Sequence, residues 1–245
     1  KFGGSSLASA EQFRKVGAII REDEGRRYVV PSAPGKRFDG DTKVTDMLYG
    51  CYRMAEQGRD FKEALRKIRE RYQEIIDGLG LSLSLAQEFE TVRKNFEEKA
   101  GEDYAASRGE YLNGIVMAEY LGYEFVDAAE VIAFDENGRL DGAKTDKMLG
   151  ERMNQCDRAV VPGFYGAMPD GSVKTFSRGG SDITGSLVAK AVHADLYENW
   201  TDVSGFLMTD PRVVENPVTI STITYREMRE LSYMGASVLH EDAIF

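Results

Sequence analysis

Two short glycine-rich stretches carry the residues best suited to handling phosphate. The chain opens Lys1-Phe2-Gly3-Gly4-Ser5-Ser6, and a later stretch reads Arg178-Gly179-Gly180-Ser181-Asp182. Each leads toward a helix. Glycine has no side chain to hold a phosphate away from the backbone, and the free N–H groups of a helix start attract anions. With Lys1 beside one turn and Arg178 beside the other, the two turns together suit a polyphosphate. Taken singly, each reads equally well as a plain strand-to-helix connection. A third stretch, Trp200-Thr201-Asp202-Val203-Ser204-Gly205, ends a strand, where ligands of open α/β sheets gather. Asp210-Pro211-Arg212 follows in a loop. Arg212 there is either a charge clamp on phosphate or part of a solvated turn.

Other chemistries are missing from the sequence. Gly35-Lys36 lacks both the upstream glycine and the following Ser/Thr of a Walker-type phosphate loop. No H-R-D or D-F-G set occurs, and no G-x-G-x-x-G follows a strand. His193 and His240 are the only histidines, and they read as packing or surface residues rather than catalysts. Cys51 and Cys156 are the only cysteines, which excludes a disulfide framework and a Cys/His zinc cage. They read as small core residues, and two free thiols suit a reducing, cytoplasmic setting.

The elements that must position these turns follow from capping and periodicity. Ser9 with Gln12 is a capping-box pattern, Phe13, Val16 and Ile20 keep a helical period, and Gly25 is placed to close that helix. Tyr28-Val29-Val30 reads as a buried strand ended by Pro31. Residues 31–46 read as loop, and helix signals resume at Asp46. Phe61, Leu65, Ile68, Tyr72, Ile75 and Ile76 keep a helical period, and residues 85–100 form a second charged amphipathic helix. The block 58–108 reads as a helical insertion, followed by a helix over 109–121. Its charged runs, 62–74 and 93–99, read as solvated helix faces. Phe125-Val126 and Ala159-Val160-Val161 read as buried strands, and Pro169-Asp170-Gly171 as a turn between short strands. Ser181 or Asp182 is placed to cap a helix. Leu196 to Trp200 reads as the next strand, and Thr224-x-x-Glu227 as a second capping box. Strands interleaved with helices predict a mainly parallel sheet covered on both faces.

Length and charge narrow the partners. The 245 residues fit one large α/β domain or two small ones. A net charge of −10 offers no basic footprint for nucleic acid or an anionic membrane surface. No apolar run nears the ~20 residues that span a bilayer.

Seven motifs in order carry a resemblance. They are Lys1-Phe2-Gly3-Gly4-Ser5-Ser6, Ser107-Arg108-Gly109-Glu110, Val161-Pro162-Gly163-Phe164, Arg178-Gly179-Gly180-Ser181-Asp182, Trp200-Thr201-Asp202-Val203-x-Gly205, Thr209-Asp210-Pro211-Arg212 and Met234-Gly235-Ala236-x-Val238-Leu239-His240. Over nearly the whole chain the set resembles the catalytic domain of aspartokinases, within the amino-acid kinase superfamily. The resemblance implies a three-layer α/β/α sandwich around a mainly parallel central sheet. It also implies phosphorylation of the L-aspartate β-carboxylate by ATP with Mg²⁺, the first step toward lysine, threonine and methionine. Regulatory ACT domains would lie beyond this stretch, and a homo-oligomer is compatible with the family.

The site residues follow from the same resemblance. Lys1 would bridge the ATP phosphates, and Asp182 would orient Lys1. Gly3, Gly4, Ser5 and Gly180 would cradle phosphate, while Thr201, Asp202 and Arg212 would contact the nucleotide. Arg178 matches the position that forks onto the aspartate α-carboxylate, and Glu110 the position that meets its α-ammonium. Thr45 and Ser181 match neighbouring polar contacts, and Ser32 is a further one. No metal ligand is expected from the protein. Three positions depart from many relatives: Ser237 stands where lysine is common, Leu207 where tyrosine is common, and Ser204 where proline is common. Two other readings compete. One is a related kinase acting on glutamate or another carboxylate or carbamate, and the other a binding module without turnover. The Glu110/Arg178 pair and the helical insertion favour aspartate.

Overall fold

The computed structural model describes residues 1–177, 179–201, 205, 207–208 and 214–233. Helix α1 (Ala10–Glu22) starts at Ser9, whose hydroxyl accepts a hydrogen bond from the Gln12 N–H at 3.4 Å. It ends at Asp23 rather than at Gly25. The Asp23 carboxylate accepts the Gly25 N–H at 2.8 Å, a side-chain turn that closes the helix without a left-handed glycine. The chain then enters β1 (Tyr28–Val29).

The helical block follows as α2 (Val44–Glu56), α3 (Lys62–Leu79), α4 (Ala86–Glu97) and α5 (Glu102–Leu121). Helix α2 begins two residues before the expected Asp46. The expected boundary at 108 falls inside α5, which runs unbroken for 20 residues. Glu102 and Asp103 in its first turn complement the helix dipole, and Gly122 at φ 69° closes it. Arg108, near its middle, lies within 4.7 Å of the Tyr104 and Tyr111 rings and 5.4 Å of the Tyr165 ring.

The remaining described elements are β2 (Glu124–Phe125), α6 (Ala128–Val131), α7 (Gly142–Met153), β3 (Ala159–Val160), β4 (Tyr165–Ala167), β5 (Val173–Thr175), α8 (Gly180–Ala191) and α9 (Tyr225–Tyr233). Strands β4 and β5 pair as an antiparallel hairpin around the expected 169–171 turn. At α9, Thr224 and Glu227 close the expected capping box in both directions. The Glu227 carboxylate accepts the Thr224 N–H at 2.9 Å, and the Thr224 hydroxyl accepts the Glu227 N–H at 3.3 Å.

Strands β1, β3 and β2 lie in that order, all parallel. The first residues extend this sheet, because Phe2 bridges Pro31 on one side and Trp200 on the other, also in parallel. Trp200 is the only paired position of the strand expected over 196–200. Its N–H donates to Lys1 O at 2.9 Å, its carbonyl accepts the Gly3 N–H at 3.1 Å, and its ring stacks on Phe2.

Side chains alternate across the sheet and divide the core in two. Val29 and Val160 pack with α1 to α5, whereas Val30, Ala159 and Val161 pack with α6, α7 and α8. The architecture is thus the predicted α/β/α sandwich with a parallel sheet. Cys51 and Cys156 are buried as free thiols, and His193 is exposed. Among the described residues, no helix is long and apolar enough to cross a membrane.

Candidate active site

In a parallel sheet the strands all end on one edge, and the loops leaving that edge form the natural ligand crevice. Here those loops start at Gly3-Gly4, at Pro31-Ser32-Ala33, at Pro162-Gly163 and at Thr201. The start of α8 meets them there, since Gly163 packs directly on Ser181.

Lys1 and Asp182 meet although they stand far apart in the chain. Lys1 Nζ lies 2.8 Å from Asp182 Oδ1, with the two side chains only 11% and 15% exposed. The contact is an ion pair set off the ideal hydrogen-bond axis. Gly3 lies beneath the lysine, because a methyl group added there would sit 3.9 Å from Nζ.

Neither Ser181 nor Asp182 caps α8. The N-cap is Gly179 at φ 58°, a left-handed conformation that glycine adopts without strain. Its carbonyl accepts the Asp182 N–H at 2.8 Å. Ser181 and Asp182 therefore belong to the first turn, where a carboxylate complements the helix dipole. Gly180 is closely confined, since a Cβ there would meet Phe164 and Phe176 at about 2.9 Å.

The first glycine turn does not feed α1 directly. A 3₁₀ turn over Ser5–Leu7 intervenes, and α1 has its own cap at Ser9. Gly4 is clamped from the other side by the loop after β1. The Gly35 N–H donates to Gly4 O at 2.8 Å, and a Cβ on Gly35 would stand 2.6 Å from Gly4 C. Neither backbone can yield easily, so Gly35→Ala should cost about 2 kcal/mol through overpacking. Urea unfolding of the variant checks this; an unchanged midpoint and slope would contradict the packing.

Glu110 forms the second half of the site. It is buried on α5 and hydrogen-bonded to the Ala33 backbone, while its Oε2 has no partner. Burial pushes its carboxyl up to about 8, against the opposing pull of the Ala33 N–H and the Arg108 charge. Thr45, in the first turn of α2, faces the same stretch of α5, its hydroxyl 3.6 Å from where a Cβ on Gly109 would sit. Ala33 and Gly35 thus tie the two halves together, one touching Glu110 and the other Gly4. Ser32 is held by Asn113, whose side-chain amide donates to Ser32 O at 2.6 Å.

Of the expected residues, Lys1, Gly3, Gly4, Ser5, Gly180, Ser181, Asp182 and Thr201 lie on this edge, with Glu110 and Thr45 reached through Ala33. Ser5 is exposed, and Thr201 is half-buried directly after Trp200. Arg178, Asp202 and Arg212 lie outside the described residues, as do Ser204, Ser237 and His240. A cavity of about 300 Å³ opens beneath Arg26, Tyr28, Val192, Leu196 and Glu198, at the opposite ends of the strands. Among the described expected residues it touches only Lys1, so the chemistry points to the loop edge instead.

Two supporting residues escape the motif reading. Arg71 lies within a run expected to be solvated, yet it is buried and donates to Gly35 O at 2.8 Å. Beside it, the buried Tyr72 hydroxyl donates to Gly109 O at 2.6 Å. The available signal was helical phase, because position 71 stands three residues after Ile68 and four before Ile75 on the apolar stripe.

Known proteins resemble the chain over its whole length. Aspartokinase 3 of Bacillus subtilis is 40% identical over 260 residues, covering all of this chain and 57% of that protein. The crystal structure of Clostridium acetobutylicum aspartate kinase superposes with a TM-score of 0.95 at 57% identity, covering all of this chain and 56% of that one. Escherichia coli aspartokinase III, solved with aspartate and ADP, gives a TM-score of 0.84 at 29% identity, covering all of this chain and 57% of that one. The chain therefore spans a little over half the length of these relatives. Residues 1–245 match the profile described as the amino acid kinase family, and the chain belongs to that family.

Proposed function

We propose that this chain is the catalytic domain of an aspartokinase. It would transfer the γ-phosphoryl group of ATP to the β-carboxylate of L-aspartate, yielding 4-phospho-L-aspartate for lysine, threonine and methionine synthesis in the cytoplasm. The observation that carries the reading is a buried acid with one unpartnered oxygen, Glu110, beside a loop that also holds Gly4, in the turn that follows the Asp182-paired Lys1. An orphaned buried acceptor calls for a donor, and the α-ammonium of an amino acid supplies both donor and charge.

The chemistry needs little from the protein beyond placement. A substrate carboxylate with a reference pKa of ~3.9 is already ionised at neutral pH, so no general base is required. Phosphoryl transfer then depends on alignment and on neutralising the charge of the migrating group. Lys1 supplies the cation, and Asp182 fixes the direction of its amine. The backbone at Gly3, Gly4 and Gly180 admits phosphate closely, and Ser5 and Thr201 border it. By resemblance, Arg178 would fork onto the aspartate α-carboxylate, with Thr45 and Ser181 beside it. Asp202 and Arg212 would complete the nucleotide contacts.

Among the described residues, no three His, Cys, Asp or Glu side chains converge as a metal cage. Mg²⁺ would be carried on the triphosphate, since it favours phosphate oxygens and retained water. When bound, it supplies charge neutralisation on the phosphates.

Incubation with Mg-ATP and hydroxylamine tests the proposal, with aspartate, glutamate or no acceptor present. Aspartyl hydroxamate should form at least tenfold faster than the glutamyl product. Equal or greater product from glutamate would overturn the acceptor, and nucleotide binding without any hydroxamate would overturn the kinase reading.

A further inference from the structure

Two neighbouring residues of helix α3, Arg71 and Tyr72, reach the backbone of both halves of the site. Arg71 donates to the Gly35 carbonyl at 2.8 Å, and the Gly35 N–H donates in turn to Gly4 O at 2.8 Å. Tyr72 donates to the Gly109 carbonyl at 2.6 Å, one residue before Glu110. Both side chains are buried, at 4% and 1% exposure.

The Arg71 guanidinium is itself fixed. It lies 3.3 Å from the Asp41 carboxylate, which also receives Arg37 at 2.8 Å. Arg37 in turn reaches back to Glu74 on α3 at 2.9 Å. The loop after β1 is thus strapped to α3 at both Gly35 and Asp41. One nitrogen, Nη2, makes both the carbonyl and the carboxylate contact, while Nε is buried without a hydrogen-bond partner.

We propose that Arg71 and Tyr72 are paired positioning residues, with Arg71 setting the glycine turn that receives phosphate and Tyr72 setting the stretch of α5 that presents Glu110. The assignment of the two halves to nucleotide and aspartate rests on the function proposed above. The tethers are separate hydrogen bonds, one to Gly35 and one to Gly109, so each loss should fall chiefly on its own half even though Ala33 joins the two through the same loop. A residue that merely stabilised the fold would move both substrate constants together.

The test uses the full-length protein with Arg71→Met and Tyr72→Phe. Tyr72→Phe removes only the hydroxyl donor, whereas Arg71→Met removes the donors together with the charge that faces Asp41. Steady-state kinetics vary Mg-ATP and aspartate in turn. Arg71→Met should raise the KM for ATP about tenfold and leave the aspartate KM within twofold. Tyr72→Phe should raise the aspartate KM about fivefold and leave the ATP KM within twofold. Should Arg71→Met fail to fold, Asp41→Asn loosens the same guanidinium and should raise the ATP KM about threefold. Parallel shifts in both constants, or no shift in either, would overturn the proposal. Calorimetry with Mg-ADP supplies an independent arm, in which Arg71→Met should weaken binding about tenfold and Tyr72→Phe not at all. That arm still decides the Arg71 half if the wild-type protein makes no aspartyl phosphate, an outcome that would remove only the functional reading.

Discussion

Replacing Lys1 with methionine should lower kcat about 10³-fold while changing the aspartate KM less than threefold. The amine stands 2.8 Å from Asp182 over Gly3, in a place only about a tenth exposed. A fixed cation beside the migrating phosphoryl group acts where charge develops, so its loss falls on the chemical step. Removing one such preorganised contact costs roughly 3–4 kcal/mol, and 1.36 kcal/mol corresponds to each factor of ten. Aspartate binding is spared because Glu110 and Thr45 are positioned by α5 and α2. Asp182→Asn should be milder, at about 30-fold, because the lysine remains but loses the partner that aims it. The double variant should be no worse than Lys1→Met alone, since two residues acting as a unit are not additive. Single-turnover phosphoryl transfer measures all three. Additive losses would separate the two residues and contradict the pairing, as would a Ser237→Ala loss comparable to that of Lys1→Met.

The Lys1–Asp182 contact shows where sequence reading succeeds and where it stops. Each residue sits in a glycine-rich motif, so both were legible as phosphate-handling candidates. Their meeting depends on a parallel sheet that brings the loops after Gly3 and the start of α8 to one edge. Local signals worked wherever the physics is local. Ser9, the Thr224/Glu227 box and the 169–171 turn each satisfy backbone groups within a few residues. They failed where two local solutions compete. Asp23 closes α1 before Gly25 can, and Gly179 at φ 58° stands at the N-cap of α8, which leaves Ser181 and Asp182 in its first turn.

Strand signals were the least local of all. Leu196 to Trp200 has the composition of a strand, but only Trp200 finds a partner in Phe2. Arg71 marks another limit. In a run of alternating charges it looks like its neighbours, and only its phase against Ile68 and Ile75 sets it apart. The second half of the site was legible as a motif through Glu110, but not the Ala33 N–H that meets it from 77 residues earlier, measured along the numbering.

Glu110 carries the other large effect, and it has opposite signs for binding and stability. Burial disfavours the charge and pushes its carboxyl up to about 8. An α-ammonium needs the carboxylate, so wild-type aspartate KM should fall about tenfold from pH 6 to 7, then level off above pH 8. Glu110→Gln keeps the shape and an acceptor oxygen but removes the charge. Its KM should rise about 30- to 100-fold, roughly 2–3 kcal/mol for a buried charged hydrogen bond, and lose this pH limb. Stability should move the other way. The folded carboxyl holds its proton more tightly than the unfolded one, whose ordinary value is 4.5. The folded state therefore binds more protons, and unfolding free energy declines as pH rises between about 4.5 and about 8. The decline is at most about 1.4 kcal/mol per pH unit. Glutamine carries no such burden, so urea unfolding should find Glu110→Gln gaining on wild type steadily from pH 5 to 8, with no further gain above. A pH-independent difference between the two proteins would show that Glu110 is not held neutral by its burial. A buried acid that weakens the fold near neutrality while strengthening aspartate binding is what a site built for an ammonium group should contain, because the ligand brings the positive charge that offsets burial of the carboxylate.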